Sequence, residues 1–293
     1  MEIIFGLTAA IGWGVADFCA RFASRQIGAY RTLMLMQPFG AAAIAIYLTV
    51  AHGWPPFAAL GWRPWAFAVV AGFLNTVSSL SLYYAFEIGS MSVAAPVSSA
   101  YPALTVTLAL LSGERIDAWR SAGLAVIFLG IMLAAISFAP AQKADAAAKN
   151  DEPAGLVRGA GWAIVSAIGF GLMFWWLGFH VVRDVGGPAS VFVVRITTSL
   201  TLFLAAAPVG KDITWPRGRV WWLLAAVGLV DTTAFVANNS GMRIGHVSVV
   251  TVLSSLYGAV TVLLGAIFVR ERLANSQWLG IALIFAGIVL VNL

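Results

Sequence analysis

The stretch SSAYPALTV, residues 98–106, keeps two serines, a tyrosine and a threonine inside an apolar run, and SSLYGAVTV, residues 254–262, repeats the pattern. On a helix the first serine, the tyrosine and the threonine share one face, because they are spaced i, i+3 and i+7. Small and hydroxyl side chains let helices approach closely in a bilayer and hydrogen-bond across the contact. The pattern predicts two inward-facing surfaces, serving either helix packing or direct substrate contact through Ser98, Tyr101, Ser254 and Tyr257.

The two copies differ at one backbone position. Pro102 in the first copy removes the amide donor that would bond the carbonyl of Ser98, so this helix can kink. Gly258 stands at the matching place in the second copy. The two helices therefore need not bend alike.

The composition of the whole chain indicates a membrane protein. Hydrophobic residues make up 61% of the 293 residues and charged residues 10%, whereas a soluble domain has roughly 25% charged residues. The apolar residues form long runs without period-2 alternation, and a helix needs about 20 of them to cross a bilayer. We expect an all-α integral membrane protein with ten spans, at residues 3–24, 30–51, 65–87, 91–112, 118–138, 159–180, 188–208, 220–242, 246–268 and 274–293.

Other functional classes have little support. The 17 Lys and Arg residues form no basic block, which argues against nucleic-acid binding. His180 and His246 lack metal-ligand spacing, no cofactor is indicated, and Cys19, as the only cysteine, can form no disulfide within the chain. Catalytic signatures such as a GxSxG elbow are missing, so we expect no enzyme. A membrane-embedded enzyme and a scaffold are the alternatives from other classes.

The two halves of the chain match each other. At an offset of 157, residues 11–14 (IGWG) fall on 168–171 (IGFG), and at 156 the SSxY motifs coincide. Because five spans are an odd number, the second half enters the membrane from the opposite face, which gives inverted-topology repeats with a ligand site near the midplane. The alternative is a bundle duplicated for stability alone. We expect a first five-helix repeat at 1–138, a polar linker at 139–158 and a second repeat at 159–293.

Longer motifs in both halves resemble a known family. Two segments of the first half, AAPVSSAYPALTVTLALLSGERI (94–116) and GLAVIFLGIMLAA (123–135), together resemble the EamA-type domain of the drug/metabolite transporter (DMT) superfamily. Two segments of the second half, VVTVLSSLYGAVTVLLGAIFVRERL (249–273) and LGIALIFAGIVLVNL (279–293), resemble it more loosely. The resemblance covers essentially the whole chain as two such domains. It implies a ten-helix secondary transporter of small organic solutes, often moved outward; we expect a multi-pass protein of the bacterial inner membrane, monomeric or homodimeric.

The number of cationic residues within the spans limits the expected class of substrate. Members of the superfamily carry amino acids, other metabolites, nucleotide sugars or phosphate esters, and carriers of the last two have cationic clusters around the site. Here Arg195 is the only Arg or Lys at midspan. We expect an exporter of amino acids or related metabolites that works by alternating access. A drug-like cation, a nucleobase and a sugar derivative are the alternative solutes.

The orientation of the chain stays open. Loops after the odd spans hold eleven Lys and Arg residues, and loops after the even spans hold five. The positive-inside rule then puts both termini outside, whereas the resemblance implies termini in the cytoplasm.

Three ionisable side chains within spans are candidate functional residues, because a charge inside a bilayer is costly. Asp231 lies near the centre of its span and matches Asn75 in the other half, and Arg195 matches Gln37. An Arg195–Asp231 pair can bind substrate, with Arg195 on a carboxylate and Asp231 on an ammonium group or a coupling proton, or it can only lock two helices. Asp17 lies nearer a span end, where proton coupling and a structural role are both open.

Four aromatic residues complete the predicted substrate site. Trp13 and Phe170 are repeat mates flanked by glycines, so neighbouring helices can approach closely. Trp175 follows on the same span as Phe170, and Tyr83 lies in the third span. Each of the four can line a pocket or serve packing. The small-molecule substrate and the surrounding lipid are the expected partners.

Overall fold

The computed structural model describes residues 1–51, 53–56, 60–89, 91–135, 159–211, 213–269 and 275–291. This part of the chain contains helices and no strands. A single helical turn, Val182–Val185, precedes the seventh helix, and a π-helical turn, Gly265–Val269, extends the ninth. In chain order the helices are α1 (Glu2–Ile27), α2 (Ala29–Val50), α3 (Arg63–Ile88), α4a (Met91–Ser98), α4b (Pro102–Leu111), α5 (Ala118–Ala135), α6 (Ala160–His180), α7 (Gly187–Ala206), α8 (Val220–Ile244), α9a (Val247–Ser254), α9b (Tyr257–Leu264) and α10 (Asn275–Val291).

Eight segments of the described chain are long and apolar enough to cross a bilayer: six single helices and the combined segments Ala94–Leu111 and Val247–Phe268. Two shorter apolar stretches, Ala118–Gly130 and Trp278–Leu290, belong to α5 and α10. The predicted all-α membrane fold is confirmed, with ten helical segments at the expected places. The linker predicted at 139–158 lies outside the described residues, so the repeat boundaries stay a prediction.

Each long helix packs against a partner from the other repeat. α1 lies along α8, and their repeat mates, α6 and α3, lie along each other. α2 packs on α7 and α5 packs on α10, so each of these pairs joins a helix to its own mate. A pseudo-two-fold operation therefore maps these contacts onto themselves, as inverted-topology repeats require.

Helices α4 and α9 each break at the repeated SSxY motif. At each break the second serine turns its hydroxyl back to a carbonyl three residues earlier. Ser99 Oγ donates to Pro96 O at 2.8 Å, and Ser255 Oγ donates to Val252 O at 2.7 Å. These hydroxyls satisfy backbone carbonyls beside the interrupted helical hydrogen bonds. Both copies break at the motif, although only the first contains Pro102.

Two glycines bring the repeats close together beside these breaks. Thr105 Oγ1 donates to Gly171 O at 2.9 Å, and its mate Thr261 donates to Gly14 O at 3.3 Å. A Cβ atom on Gly171 would lie 2.8 Å from the Cβ of Leu104, which is closer than Cβ atoms approach other non-bonded atoms in real proteins. The glycines of the IGFG and IGWG motifs thus hold α6 against α4b and α1 against α9b.

Candidate functional site

A small cavity of about 40 Å³ lies between the two repeats. The first repeat lines the cavity with α1, α2, α3 and the α4 break, and the second lines it with α6, α8 and α9b. Most lining residues lie near the middle of their helices, so the cavity lies near the bilayer midplane. They are Trp13, Asp17, Met36, Asn75, Ser79, Leu82, Tyr83, Tyr101, Phe170, Met173, Phe174, Asp231, Phe235 and Tyr257.

Arg195 and Asp231 form the ion pair that buried charges predict. The guanidinium contacts the Asp231 carboxylate through Nη2 and donates from Nη1 to Gln37 Oε1 at 2.9 Å. Its central carbon lies 5.4 Å from the centre of the Phe235 ring, which is a cation–π distance. Arg195 is only 2% exposed. These contacts hold it behind Asp231 and Phe235, and it does not line the cavity.

Asp17 places a second carboxylate in the cavity. It lies one helical turn after Trp13 on α1 and is 5% exposed. Within the described part of the chain no hydrogen bond or ion pair reaches it, and Asp231 lies close enough for the two carboxylates to repel each other. No group of three or more His, Cys, Asp or Glu side chains that could hold a metal ion occurs among the described residues. Asp17 is therefore a buried acid in the wall of the cavity.

Asn75, the repeat mate of Asp231, also lines the cavity. Its Nδ2 donates to Thr198 Oγ1 at 3.0 Å, and Ser79 Oγ donates to Asn75 Oδ1 at 3.4 Å. A neutral amide thus occupies the position where the other repeat carries a charge. The two walls of the cavity differ in electrostatics although their backbones are related by pseudo-symmetry.

The two SSxY motifs bond to each other. Tyr101 OH and Ser254 Oγ lie 2.8 Å apart, and Tyr257 OH donates to Ser98 Oγ at 2.8 Å. The two tyrosine rings stack with centroids 6.3 Å apart and 19° between their planes. Ser98 Oγ also meets Ser166 Oγ at 3.0 Å. The tyrosines line the cavity and the serines lie behind them, so the motifs join the repeats at the cavity wall.

Aromatic rings make up much of the cavity wall. The Trp13 ring centre lies 5.4 Å from Phe174, 5.9 Å from Phe235 and 6.3 Å from Tyr257. Phe170 extends this cluster, with its ring 5.9 Å from Phe174. Such a wall offers apolar surface and the electron-rich faces of the rings to a ligand.

The predicted site residues fall into three groups. Four of them, Arg195, Gln37, Ser98 and Ser254, contact lining residues or their partners from behind. Trp175 lies outside the cavity: its Nε1 donates to Ser112 Oγ at 2.9 Å, and its ring packs on Trp176 and His180. The residues that line the cavity are Trp13, Asp17, Asn75, Tyr83, Tyr101, Phe170, Asp231 and Tyr257.

Phe174, Phe235 and Ser79 line the cavity and are absent from the residues predicted above. Each lies four residues after a predicted lining residue on the same helix. The i, i+4 spacing, which puts side chains on one helix face, is the signal that points to them. Met173 lies three residues after Phe170, on the same face. Met36 and Leu82 carry no comparable signal, because an apolar residue in a span looks the same whether it meets a ligand or another helix.

A sequence model matches both halves of the chain. The EamA-like transporter family matches residues 1–136 and 157–293, one match for each repeat. The chain belongs to the EamA-like transporter family. It is thus a multi-pass integral membrane protein of the DMT superfamily, and its cavity lies between two EamA domains. The family is one of transporters.

Relatives of this EamA-family protein span different shares of it. An uncharacterized protein of Methanocaldococcus jannaschii is 28% identical over 136 residues, 46% of this chain and 96% of that protein. An uncharacterized transporter in a cobO 3′ region of Sinorhizobium sp. is 31% identical over 107 residues, 35% of this chain and 76% of that protein. Both are therefore about as long as one repeat.

Two further matches concern longer proteins. An uncharacterized transporter of Archaeoglobus fulgidus is 29% identical over 122 residues, 41% of this chain and 44% of that protein. A protein crystal structure with a TM-score of 0.70 and 19% identity covers 99% of this chain and 95% of that chain. This likeness shows the shared fold over nearly the whole chain.

Proposed function

We propose that this protein is a secondary active transporter that exports amino acids or related small metabolites through the central cavity by alternating access, without a catalytic step. The bacterial inner membrane is its proposed location. The observation that carries the proposal is a midspan cavity between inverted repeats that is lined by two carboxylates, the buried Asp17 and the partly buried Asp231. Ionisable groups at this depth mark substrate or ion pathways, because a purely structural bundle gains little from them.

The proposed transport cycle follows from the packing of the repeats. The cavity walls come from both halves, so rocking of one half against the other opens the cavity first to one face and then to the other. The Tyr101–Ser254 and Tyr257–Ser98 bonds lie at the wall that both halves share.

Purified protein tests the solute class directly. A thermal-shift screen against amino acids, amine derivatives, nucleobases and sugars is expected to single out the first two groups, because a ligand that binds only the folded protein raises its apparent stability. Solutes that score are then tested for counterflow in proteoliposomes. Stabilisation and counterflow by nucleobases or sugars alone would overturn the proposed class.

The two carboxylates are also the proposed carriers of a coupling proton. Asp231 already pairs with Arg195, whereas Asp17 has no partner among the described residues, so we assign the proton to Asp17. An imposed pH gradient should drive solute accumulation by the native protein and by Asp17→Glu, but not by Asp17→Asn. Counterflow at saturating solute, which needs no driving force, is the control. A response that persists in Asp17→Asn and disappears in Asp231→Asn would move the proton to Asp231.

A further inference from the structure

The charges that face the cavity have one sign. Asp17 and Asp231 line it, and no Lys, Arg or His is among its described lining residues. Arg195 balances Asp231 through a direct ion pair. Asp17 has no hydrogen bond or ion pair within the described chain. One carboxyl group without a described partner therefore faces whatever enters the cavity.

A buried carboxylate without a partner is unfavourable, since it has lost its water and gained nothing in return. Asp17 is 5% exposed and is repelled by Asp231. A positively charged ligand removes both penalties at once. A cationic ligand in the cavity can reach Asp17 and form an ion pair with its carboxylate.

The rings around Asp17 suit an organic cation. Trp13 and Asp17 are four residues apart on α1, so their side chains project from one helix face. The Trp13 ring contacts the rings of Phe174, Phe235 and Tyr257. A cation is attracted to the faces of such rings. The same wall already holds one cation from behind, the guanidinium that lies 5.4 Å from the Phe235 ring centre.

A solute carboxylate, by contrast, meets no cation in this cavity. Arg195 is the only Lys or Arg at midspan. It is 2% exposed. Its Nη2 contacts Asp231 and its Nη1 donates to Gln37, and its Nε, which has no partner among the described residues, is buried as well. A carboxylate entering the cavity would also face Asp17 directly. The arrangement attracts an ammonium group and repels an acid.

Resting on the proposed function, we infer that the cavity recognises the ammonium group of its solute at Asp17, between the aromatic rings, and makes no bond to a solute carboxylate. The preferred solutes are then organic amines with an apolar or aromatic body. Within the proposed solute class, an amine then binds more tightly than the corresponding amino acid, because the α-carboxylate finds no cationic partner among the lining residues.

Three compounds with the same skeleton separate these cases: phenethylamine as the cation, phenylalanine as the zwitterion and 3-phenylpropionate as the anion. With native protein, phenethylamine should raise the apparent melting temperature at concentrations about tenfold lower than phenylalanine, and 3-phenylpropionate should have no effect. Phenethylamine should also compete best in counterflow. The inference is overturned when phenylalanine or 3-phenylpropionate binds as tightly as the amine.

Variants locate the recognition. Asp17→Asn should weaken phenethylamine binding about tenfold and leave binding of the neutral 2-phenylethanol unchanged, whereas Asp17→Glu should keep the preference for the amine. Asp184→Asn, which alters an exposed carboxylate outside the cavity, is the matched control. Unchanged phenethylamine binding in Asp17→Asn contradicts the assignment. The native-protein series decides the question even if Asp17→Asn fails to fold.

The two proposals fail differently. Binding and counterflow by phenylalanine but not by phenethylamine would leave the proposed export of amino acids standing and refute the recognition of ammonium alone. Absence of binding by all three compounds, together with binding by a nucleobase or a sugar, would refute the proposed function itself.

Discussion

Single hydroxyl groups tie the two repeats together at the cavity wall. Tyr101 and Tyr257 reach across to Ser254 and Ser98, and each of the four residues is buried. A buried hydrogen bond contributes about 1 kcal/mol to stability. The two bonds are small individually, but they join the same pair of surfaces and should act on the same unfolding step.

Removing either tyrosine hydroxyl should lower the stability of the protein. Tyr101→Phe and Tyr257→Phe are each expected to cost about 0.5–1.5 kcal/mol, because the ring still packs while the hydrogen bond is lost. Thermal unfolding in detergent measures the effect. Tyr47→Phe, at a tyrosine that is 57% exposed, is the matched control. Melting temperatures indistinguishable from that control would show that the crossed bonds do not hold the repeats together.

Glycine substitutions test the close approach of the repeats. Gly171→Ala puts a Cβ 2.8 Å from Leu104 Cβ, and such overpacking costs about 1–3 kcal/mol. Gly161→Ala, on the same helix, meets no atom within 4 Å and should be neutral or slightly stabilising. The two variants are compared by thermal unfolding. Equal stability would mean that α6 and α4b can separate without penalty.

The sequence predicts which residues face inward but not which residues they meet. The i, i+3, i+7 spacing puts Ser98 and Tyr101 on one face, yet the serine that Tyr101 bonds lies in the other repeat. The Arg195–Asp231 pair could be predicted because buried charges need partners. The position of Arg195 behind the cavity could not, since it depends on Gln37 from a third helix.

At the scale of helices, two acidic side chains of the first repeat accept hydrogen bonds from backbone amides at the start of α9a. His246 N donates to Glu2 Oε2 at 2.6 Å, and Ser248 N donates to Glu114 Oε2 at 3.1 Å. Arg120 Nη1 lies 3.0 Å from Glu2 Oε1 and holds that carboxylate in place. The first amides of a helix lack internal acceptors and carry partial positive charge, so both carboxylates stabilise this end.

Loss of either cap should loosen the start of α9a. Glu2→Ala and Glu114→Ala are each expected to cost about 0.5–2 kcal/mol of local stability. Hydrogen–deuterium exchange at residues 246–250 should then speed up, while exchange in α6 stays unchanged. Asp184→Asn is again the control for loss of a surface charge. Unaltered exchange at the start of α9a would contradict the capping role.

The two helix breaks differ in how well the local sequence predicts them. Pro102 marks the break in α4, because it lacks the amide that a continuous helix needs. Gly258 gives no comparable signal, since glycine occurs in many unbroken membrane helices. The break in α9 was therefore visible only through the repeat, which places Ser254 and Ser255 where Ser98 and Ser99 stand.

At the scale of the whole molecule, a chain that crosses the membrane ten times is expected to have both termini on one face and residues 139–158 on the other. Cys19→Ser yields a chain without cysteines, so single cysteines can report each loop. Lys149→Cys and Lys211→Cys should label from one side with an impermeant maleimide, and Asp117→Cys from the other. Labelling of Lys149→Cys together with Asp117→Cys would mean that α5 does not cross. The side reached by Asp117→Cys also decides between the orientation from loop charges and the one implied by the family.

The difference between Asp231 and its mate Asn75 bears on how many charged groups the shared site can hold. In a symmetric pair of identical one-repeat chains, every side chain at the shared site occurs twice, so its acids and bases come in even numbers. Joining two repeats in one chain lifts that restriction. Asp17 can then exist without a second copy, because its mate is Phe174. A single unmatched charge at the site between the two halves is not available to such a symmetric pair of identical chains.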